Sequence, residues 1–199
     1  QQIRARIRFQ EEEISVGDFI MVVRNNYHWL PETSKAGFIA NGDTAEVLRI
    51  YEFNDLYESR FARILIRLID FPDMEDLEVI ILLDLLQNDS PGLTFDEYKK
   101  MSSKVEKDYA DIPKKSDRIK EIKKNPYLNA LQVKFAYAIT CHKSQGGQWK
   151  NVFVEQGFFN EDMLNKEYLR WLYTAFTRAT SKLYLVSFKD KFFNNISES

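Results

Sequence analysis

The rhythm of apolar and polar positions changes twice along the chain, and the three stretches so marked predict different elements. Behind a turn at Gly17-Asp18, the apolar run Phe19 to Arg24 reads as a strand. β-Branched and aromatic stretches follow at Thr44 to Phe53, Phe61 to Phe71 and Leu77 to Leu83. Turn material surrounds them: "NNYHWLPETSKAG", "NGD", "NDLYES" and "FPDMED". Short strands at this spacing predict a small antiparallel barrel or sandwich.

The pattern then turns charged from Ser90 to Pro126. Thr94 and Glu97 have capping-box spacing and open a helix that Pro113 should end. The run Lys114 to Lys124 holds five lysines, the signature of a solvated helix face, with phosphate binding as the alternative. Residues 85–125 read as a helical connector. From Leu131 the apolar runs return, and "LQVKFAYAIT", "NVFVE" and "KLYLVSF" read as three strands. Between the last two, Asn160 stands as a cap ahead of Leu164, Tyr168, Leu172 and Phe176 at intervals of four, joined by Leu169 and Tyr173. Strand, turn, strand, helix, strand predicts a parallel α/β sheet. Ligands of such sheets lie beyond the carboxyl ends of the strands, which puts Thr140 to Gln148 at a ligand-facing edge.

Composition narrows the picture. A chain of 199 residues with 44% hydrophobic content can bury a sizeable core in one domain or two small ones. With 28 Lys+Arg against 30 Asp+Glu, the net charge of -2 provides no overall field for a polyanion, so any such site is local. The single cysteine forms no internal disulfide, and neither a signal peptide nor a membrane-spanning stretch is evident. The cytosol is the expected compartment and no membrane partner is expected. The chain opens at Gln1 in "QQIRARIRF", with charged and apolar residues already interleaved. It reads as a piece of a longer protein, ordinary N-terminal processing or a boundary chosen for expression being the alternatives.

"TCHKSQGGQW", residues 140–149, concentrates the candidate chemistry. Cys141 and His142 are adjacent, but no second cysteine exists and His28 lies in another part of the pattern; no zinc site is expected. A nucleophilic Cys141 needs a base aimed at it, whereas neighbours on an extended chain point apart, so a quiet, half-buried thiol is expected. A phosphate cradle suits the stretch better. Gly146-Gly147 allow close backbone approach, Thr140, Ser144 and Gln145 supply uncharged hydrogen bonds, and Lys143 supplies charge. None of the seven glycines is followed by lysine, so a Walker loop is missing and the chain should not hold a nucleoside triphosphate tightly by itself. The run "VIILLD", ending at Asp84, imitates a magnesium-binding strand but lacks both that loop and a second acid.

A second run, "YTAFTRAT" from Tyr173 to Thr180, ends the last predicted helix. Arg170, Thr174, Thr177 and Arg178 recur there at helical intervals on the face away from the apolar stripe. A cation favourably placed at a helix C-terminus is the plain reading of Arg178.

Taken together and in this order, "YAITCHKSQGGQWKNVFV" and "LYTAFTRATSKLYLV" resemble motifs V and VI of superfamily 1 DNA helicases, in the RecD-like and Dda-like branch. "GDFIMVVRNNY" with "GFIANGDTAEVLRI" resembles the small barrel of Src-homology-3 type that this branch carries between motifs IV and V, and "QQIRARIRF" the helix after motif IV. The resemblance implies a fold of α/β class: a second RecA-like domain (residues 1–16 and 126–199) with an inserted small β-barrel (17–84) and the connector (85–125). It implies that Arg178 reaches across a cleft to the γ-phosphate, positioned by Tyr173 and Thr177. Thr140 and His142 would touch the DNA backbone, Lys143 and Ser144 would add polar contacts, and Gln145, Gly146 and Gly147 would turn toward the nucleotide. Gln148 stands where many relatives have a ribose-binding glutamate.

The family works as a 5′ to 3′ inchworm motor, using ATP and Mg²⁺ held mainly by an N-terminal RecA-like domain, here upstream of Gln1. This fragment alone should then be inactive. Implied partners are single-stranded DNA or a duplex junction, that N-terminal domain, and other subunits of a nuclease-helicase complex. The alternatives are a DNA-binding or docking domain that has lost catalysis, with Tyr27, Trp29 and Phe38 in the barrel loops as its contacts, or a subunit of an exonuclease assembly.

Overall fold

The computed structural model describes Arg4, Phe9, residues 12–88 and residues 90–193; most of the predicted helix at residues 1–9 lies outside these. The chain divides into two compact units, Gln1–Ala138 and Ile139–Ser199.

The first unit is a closed five-stranded barrel, β1 (Phe19–Val22), β2 (Thr44–Leu56), β3 (Ser59–Leu68), β4 (Leu77–Leu82) and β5 (Leu131–Phe135). Neighbours are antiparallel except β4 and β5, which pair in parallel at Ile81↔Leu131 and Leu82↔Gln132. Alternation sets the inside: Ile20, Val22, Ala45, Val47, Ala62, Ile64, Ile66, Val79, Ile81, Leu131 and Val133 form one fully buried cluster. The continuous apolar run of β4 has a simple cause, because its other face is buried too. Ile80 and Leu82 join Phe61, Leu85 and Met101 under the connector. Burial on both faces removes the alternation that marks a half-exposed strand, so "VIILLD" is a barrel strand.

The connector is helical as predicted. After a short α1 (Asp84–Gln87), α2 (Phe95–Asp108) opens on a complete capping box, Thr94 Oγ1 accepting from Glu97 N at 3.3 Å and Glu97 accepting from Thr94 N at 2.8 Å. It ends at Asp108, ahead of Pro113. Helix α3 (Lys115–Lys124) has no buried residue, as its lysine run implies. Helix α2 also holds the β2–β3 turn. Tyr57 and Glu58 both have positive φ (55° and 59°), a conformation that costs an L-residue roughly 1–2 kcal/mol. Tyr57 donates to Asp108 at 2.5 Å and Glu58 pairs with Lys104, so two side chains of α2 offset that strain.

Below the barrel, Asp18 is completely buried and accepts from four groups. Arg4 Nε and Nη2 reach it at 2.8 Å each, Ser15 N at 2.7 Å and the Tyr137 hydroxyl at 2.6 Å. The Arg4 guanidinium lies 4.3 Å from the centre of the Phe135 ring. This network pins the segment that leaves β5.

The second unit is a β-α-β unit: β6 (Trp149–Glu155), a short 3₁₀ turn (Glu161–Met163), α4 (Lys166–Phe176) and β7 (Ala179–Val186), the strands pairing in parallel from Trp149↔Ala179 to Glu155↔Val186. Two expectations are corrected. The strand at Leu131 belongs to the barrel and not to this sheet, so the barrel extends beyond residues 17–84 and the parallel sheet has two described strands. The cap of α4 is Asn165, accepting from Glu167 N and Tyr168 N at 3.0 Å each, while Asn160 caps only the 3₁₀ turn. Leu169 and Tyr173, expected on the apolar stripe, face outward, 63% and 72% exposed. Tyr168 packs instead on Phe159 and Phe192, and Phe176 on Phe188.

Candidate functional site

The loop Thr140–Gln148 is a chain of tight turns. Lys143 N and Ser144 N donate to Thr140 O (3.0 and 3.1 Å), and Gly147 N to Ser144 O at 3.1 Å. The turns expose Thr140, His142, Lys143, Gln145, Gly146 and Gln148. Ser144 is the exception: it is 7% exposed and donates its hydroxyl to Cys141 O at 2.6 Å. In this conformation its hydroxyl closes the turn.

The two glycines do different work. Gly146 has φ +85°, which admits glycine without strain. Gly147 lies against the Trp149 indole: a Cβ there would stand 2.9 Å from Trp149 Cζ2 and closer still to Cη2. Trp149 begins β6, so this close approach fixes how the loop enters the sheet.

Arg178 follows the C-cap of α4 and joins the helix's last carbonyls to the loop. Its Nε donates to Thr174 O at 2.9 Å, Nη1 to Gly147 O at 3.1 Å and Nη2 to Thr177 Oγ1 at 3.0 Å. The Arg178 carbonyl accepts from Trp149 N at 2.9 Å. The first bond satisfies an orphan carbonyl of the last helical turn, as the plain reading of this residue requires; the second is a tertiary contact to the loop. Thr177 Oγ1 donates in turn to Tyr173 O at 2.8 Å. Of the residues assigned to nucleotide, Gly147, Tyr173, Thr177 and Arg178 are thus joined in one network, while Gln145 and Gln148 stay exposed on the loop.

Cys141 is half-buried beneath the loop and donates its thiol to Trp171 O at 3.4 Å. Burial pushes this thiol above its ordinary range, against a smaller opposing effect of Arg178 and Ser144. A thiol so held is a poor nucleophile at neutral pH.

Beside the loop lies an open cavity of about 740 Å³, lined among others by His142, Gln145, Tyr168, Trp171 and Thr174. Sequence reasoning treated Tyr168 only as part of an apolar stripe and did not single out Trp171 for the site. Trp171 stacks on Tyr168 with ring centres 5.7 Å apart, and the only signal was its position three residues on, along one helix face. Neither the loop 140–148 nor the helix end 173–178 contains a carboxylate. The donors of these two stretches are amides, hydroxyls, the His142 imidazole, the Lys143 ammonium and the Arg178 guanidinium, which suit phosphate and sugar oxygens; the carboxylates of the cavity wall are Asp162 and Glu167.

Residues 135–186 match the UvrD-like helicase C-terminal domain. The chain is also similar to the RecBCD enzyme subunit RecD of Buchnera aphidicola subsp. Acyrthosiphon pisum, 38% identical over 81 residues, covering 38% of this chain and 13% of that relative. It therefore spans only a small part of the relative's length. Both the loop and the helix end thus lie within residues 135–186, the stretch that is similar to a UvrD-like helicase C-terminal domain.

Proposed function

We propose that the chain is the C-terminal motor half of an ATP-dependent DNA helicase, with the RecA-like part in the unit Ile139–Ser199 and the barrel, of Src-homology-3 type, ahead of it. The observation that carries this reading is the bond from Arg178 Nη1 to Gly147 O. It ties the helix end that would sense phosphate to the loop that would grip the strand, so a movement of one displaces the other. Arg178 is the arginine finger. In the described conformation its guanidinium is satisfied by its own unit, and it must leave Thr174 O or Gly147 O to meet a γ-phosphate. Bound ATP supplies the phosphoryl group and Mg²⁺ neutralises its charge; both are held chiefly by the N-terminal RecA-like domain.

Thr140, His142 and Lys143 form the DNA-side edge of the loop, and Gln148 is a neutral substitute for a ribose contact. Movement is 5′ to 3′, as in the RecD-like branch, with single-stranded DNA, the N-terminal motor domain and the subunits of a nuclease-helicase complex as partners. The relative's printed name, a RecBCD subunit, supports the last of these.

The test is DNA-stimulated ATP hydrolysis by the full-length protein and by its Arg178→Ala variant. The variant should bind nucleotide and lose turnover by about three decades or more, while the 199-residue chain alone has none. An inactive full-length wild type, or turnover by this chain alone, would remove the half-motor reading.

A further inference from the structure

Trp149 opens β6 and touches both parts of the network around Arg178. Its backbone N–H donates to Arg178 O at 2.9 Å, so the strand starts against the residue that follows the cap of α4. Its carbonyl accepts from Thr180 Oγ1 at 3.2 Å. That bond falls where the β6–β7 ladder slips by one residue, Trp149 pairing with Ala179 but Asn151 with Lys182. The backbone of Trp149 is therefore fixed at both of its polar groups.

The side chain reaches the other way, onto Gly147. A Cβ at Gly147 would stand 2.9 Å from Cζ2 and 3.0 Å from Cζ3 of the indole, so the outer edge of the six-membered ring lies on the glycine. The carbonyl of that same glycine accepts from Arg178 Nη1 at 3.1 Å. Trp149 is 44% exposed, so its ring contributes little to a core and its contact is with the loop. Backbone and side chain together join the arginine to the peptide on which its guanidinium rests.

The inference rests on the motor reading, in which the guanidinium gives up Gly147 O on its way to a γ-phosphate. Two states of Arg178 then compete, one parked on Gly147 O and one released. A contact that fixes the Gly147 peptide stabilises the parked state alone, because in the released state that carbonyl has no guanidinium to hold. Such a contact lowers the released fraction. We infer that Trp149 is a positioning residue for Arg178: its indole fixes Gly147 O and thereby keeps the guanidinium parked until the loop moves. Trp149 thus restrains hydrolysis in the absence of DNA, and the gain on DNA binding is larger because of it.

The test uses the full-length protein with Trp149→Phe, Trp149→Leu, Arg178→Ala and the double variant Trp149→Phe/Arg178→Ala. Phenylalanine keeps an apolar ring at the start of the strand but ends short of the atoms that meet Gly147; leucine keeps the apolar character without a ring. ATP hydrolysis is measured without and with an oligothymidylate, and unfolding midpoints control for folding. Trp149→Phe should raise basal turnover about threefold or more, as weakening one charge-assisted hydrogen bond of the parked state implies. The KM for ATP should not change, and the ratio of stimulated to basal turnover should fall by the same factor. Trp149→Leu should act in the same direction. A merely structural role would lower both rates together. In the double variant the rise should vanish, since the effect runs through Arg178. Without nucleotide, amide hydrogen exchange over residues 146–150 should be faster in Trp149→Phe than in wild type. Basal turnover that stays level or falls in both Trp149 variants, a rise that persists without Arg178, or unchanged exchange would overturn the inference while leaving the motor reading intact. A wild type without DNA-stimulated hydrolysis, or an Arg178→Ala variant as active as wild type, would remove the motor reading and this inference with it.

Discussion

Arg178 and Gly147, 31 positions apart in sequence, are joined by a hydrogen bond of 3.1 Å from guanidinium to backbone carbonyl. The same arginine caps its own helix through Thr174 O. One side chain thus holds the end of α4 and the loop before β6 in register, so the identity of the cation as well as its charge should matter.

Arg178→Lys tests that geometry. A lysine keeps the charge but lacks the planar fork needed to serve Thr174 O, Gly147 O and Thr177 Oγ1 together. In the full-length protein it should depress DNA-stimulated turnover nearly as far as alanine does. Turnover close to wild type would reduce the residue to a point charge at a helix end.

Thr140 and His142 stand on the exposed edge of the loop, away from the bonds that Arg178 makes. Replacing either by alanine should weaken stimulation by single-stranded DNA more than basal hydrolysis. A fall in basal hydrolysis with stimulation intact would move both residues off the DNA side.

Gly147→Ala must displace the Trp149 indole, since the added methyl would overlap its ring. Trp149 is 44% exposed, so the ring can swing aside, and the cost should be near the lower end of the roughly 1–3 kcal/mol for overpacking. Tryptophan emission should shift and coupling should fall. An unchanged spectrum would mean that the ring does not sit on the glycine.

Asp18→Asn leaves Arg4 buried without its counter-charge. Breaking one partner of a buried ion pair costs ~3–5 kcal/mol, and urea unfolding of the barrel unit should show a loss of that order. A loss below about 1 kcal/mol would show that Arg4 finds other partners, and would make the network dispensable.

Cys141 is raised by burial, so its alkylation by iodoacetamide at neutral pH should be slower than that of an unhindered thiol, and should accelerate on unfolding. The sign for stability follows. The folded thiol titrates above its ordinary range because burial disfavours the thiolate, so the unfolded chain ionises first and stability falls as pH rises through the ordinary thiol range. Below it the group has no effect. Fast alkylation of the folded chain would place the thiol at the surface.

Much of this architecture is legible in local pattern. The strands β2 and β3 alternate as a half-buried pair must, and the capping box at Thr94 and Glu97 marks the start of α2 to the residue. The loop and the helix end were recognisable because their residue types follow in a fixed order. The start of α4 was less so. Asn160 and Asn165 are both competent caps, each with an acidic residue in the turn that follows, and only packing of Tyr168 and Phe176 decides which opens the long helix. The buried bond between Arg4 and Asp18 has no local signature at all, because a salt bridge over 14 positions depends on where the chain folds back.

What the sequence determined by itself is the kind of each element, since periodicity, caps and glycines act over a few neighbouring positions. What only the tertiary structure decided is partnership. An apolar run such as Leu131–Phe135 can satisfy its backbone in any sheet with an open edge, and it closes the barrel because β1 and β4 provide such edges on both its sides. Ser144 turns inward for a related reason: its hydroxyl finds the Cys141 carbonyl within its own turn. Local chemistry fixes what a group can bond, and the assembled chain fixes which partner arrives.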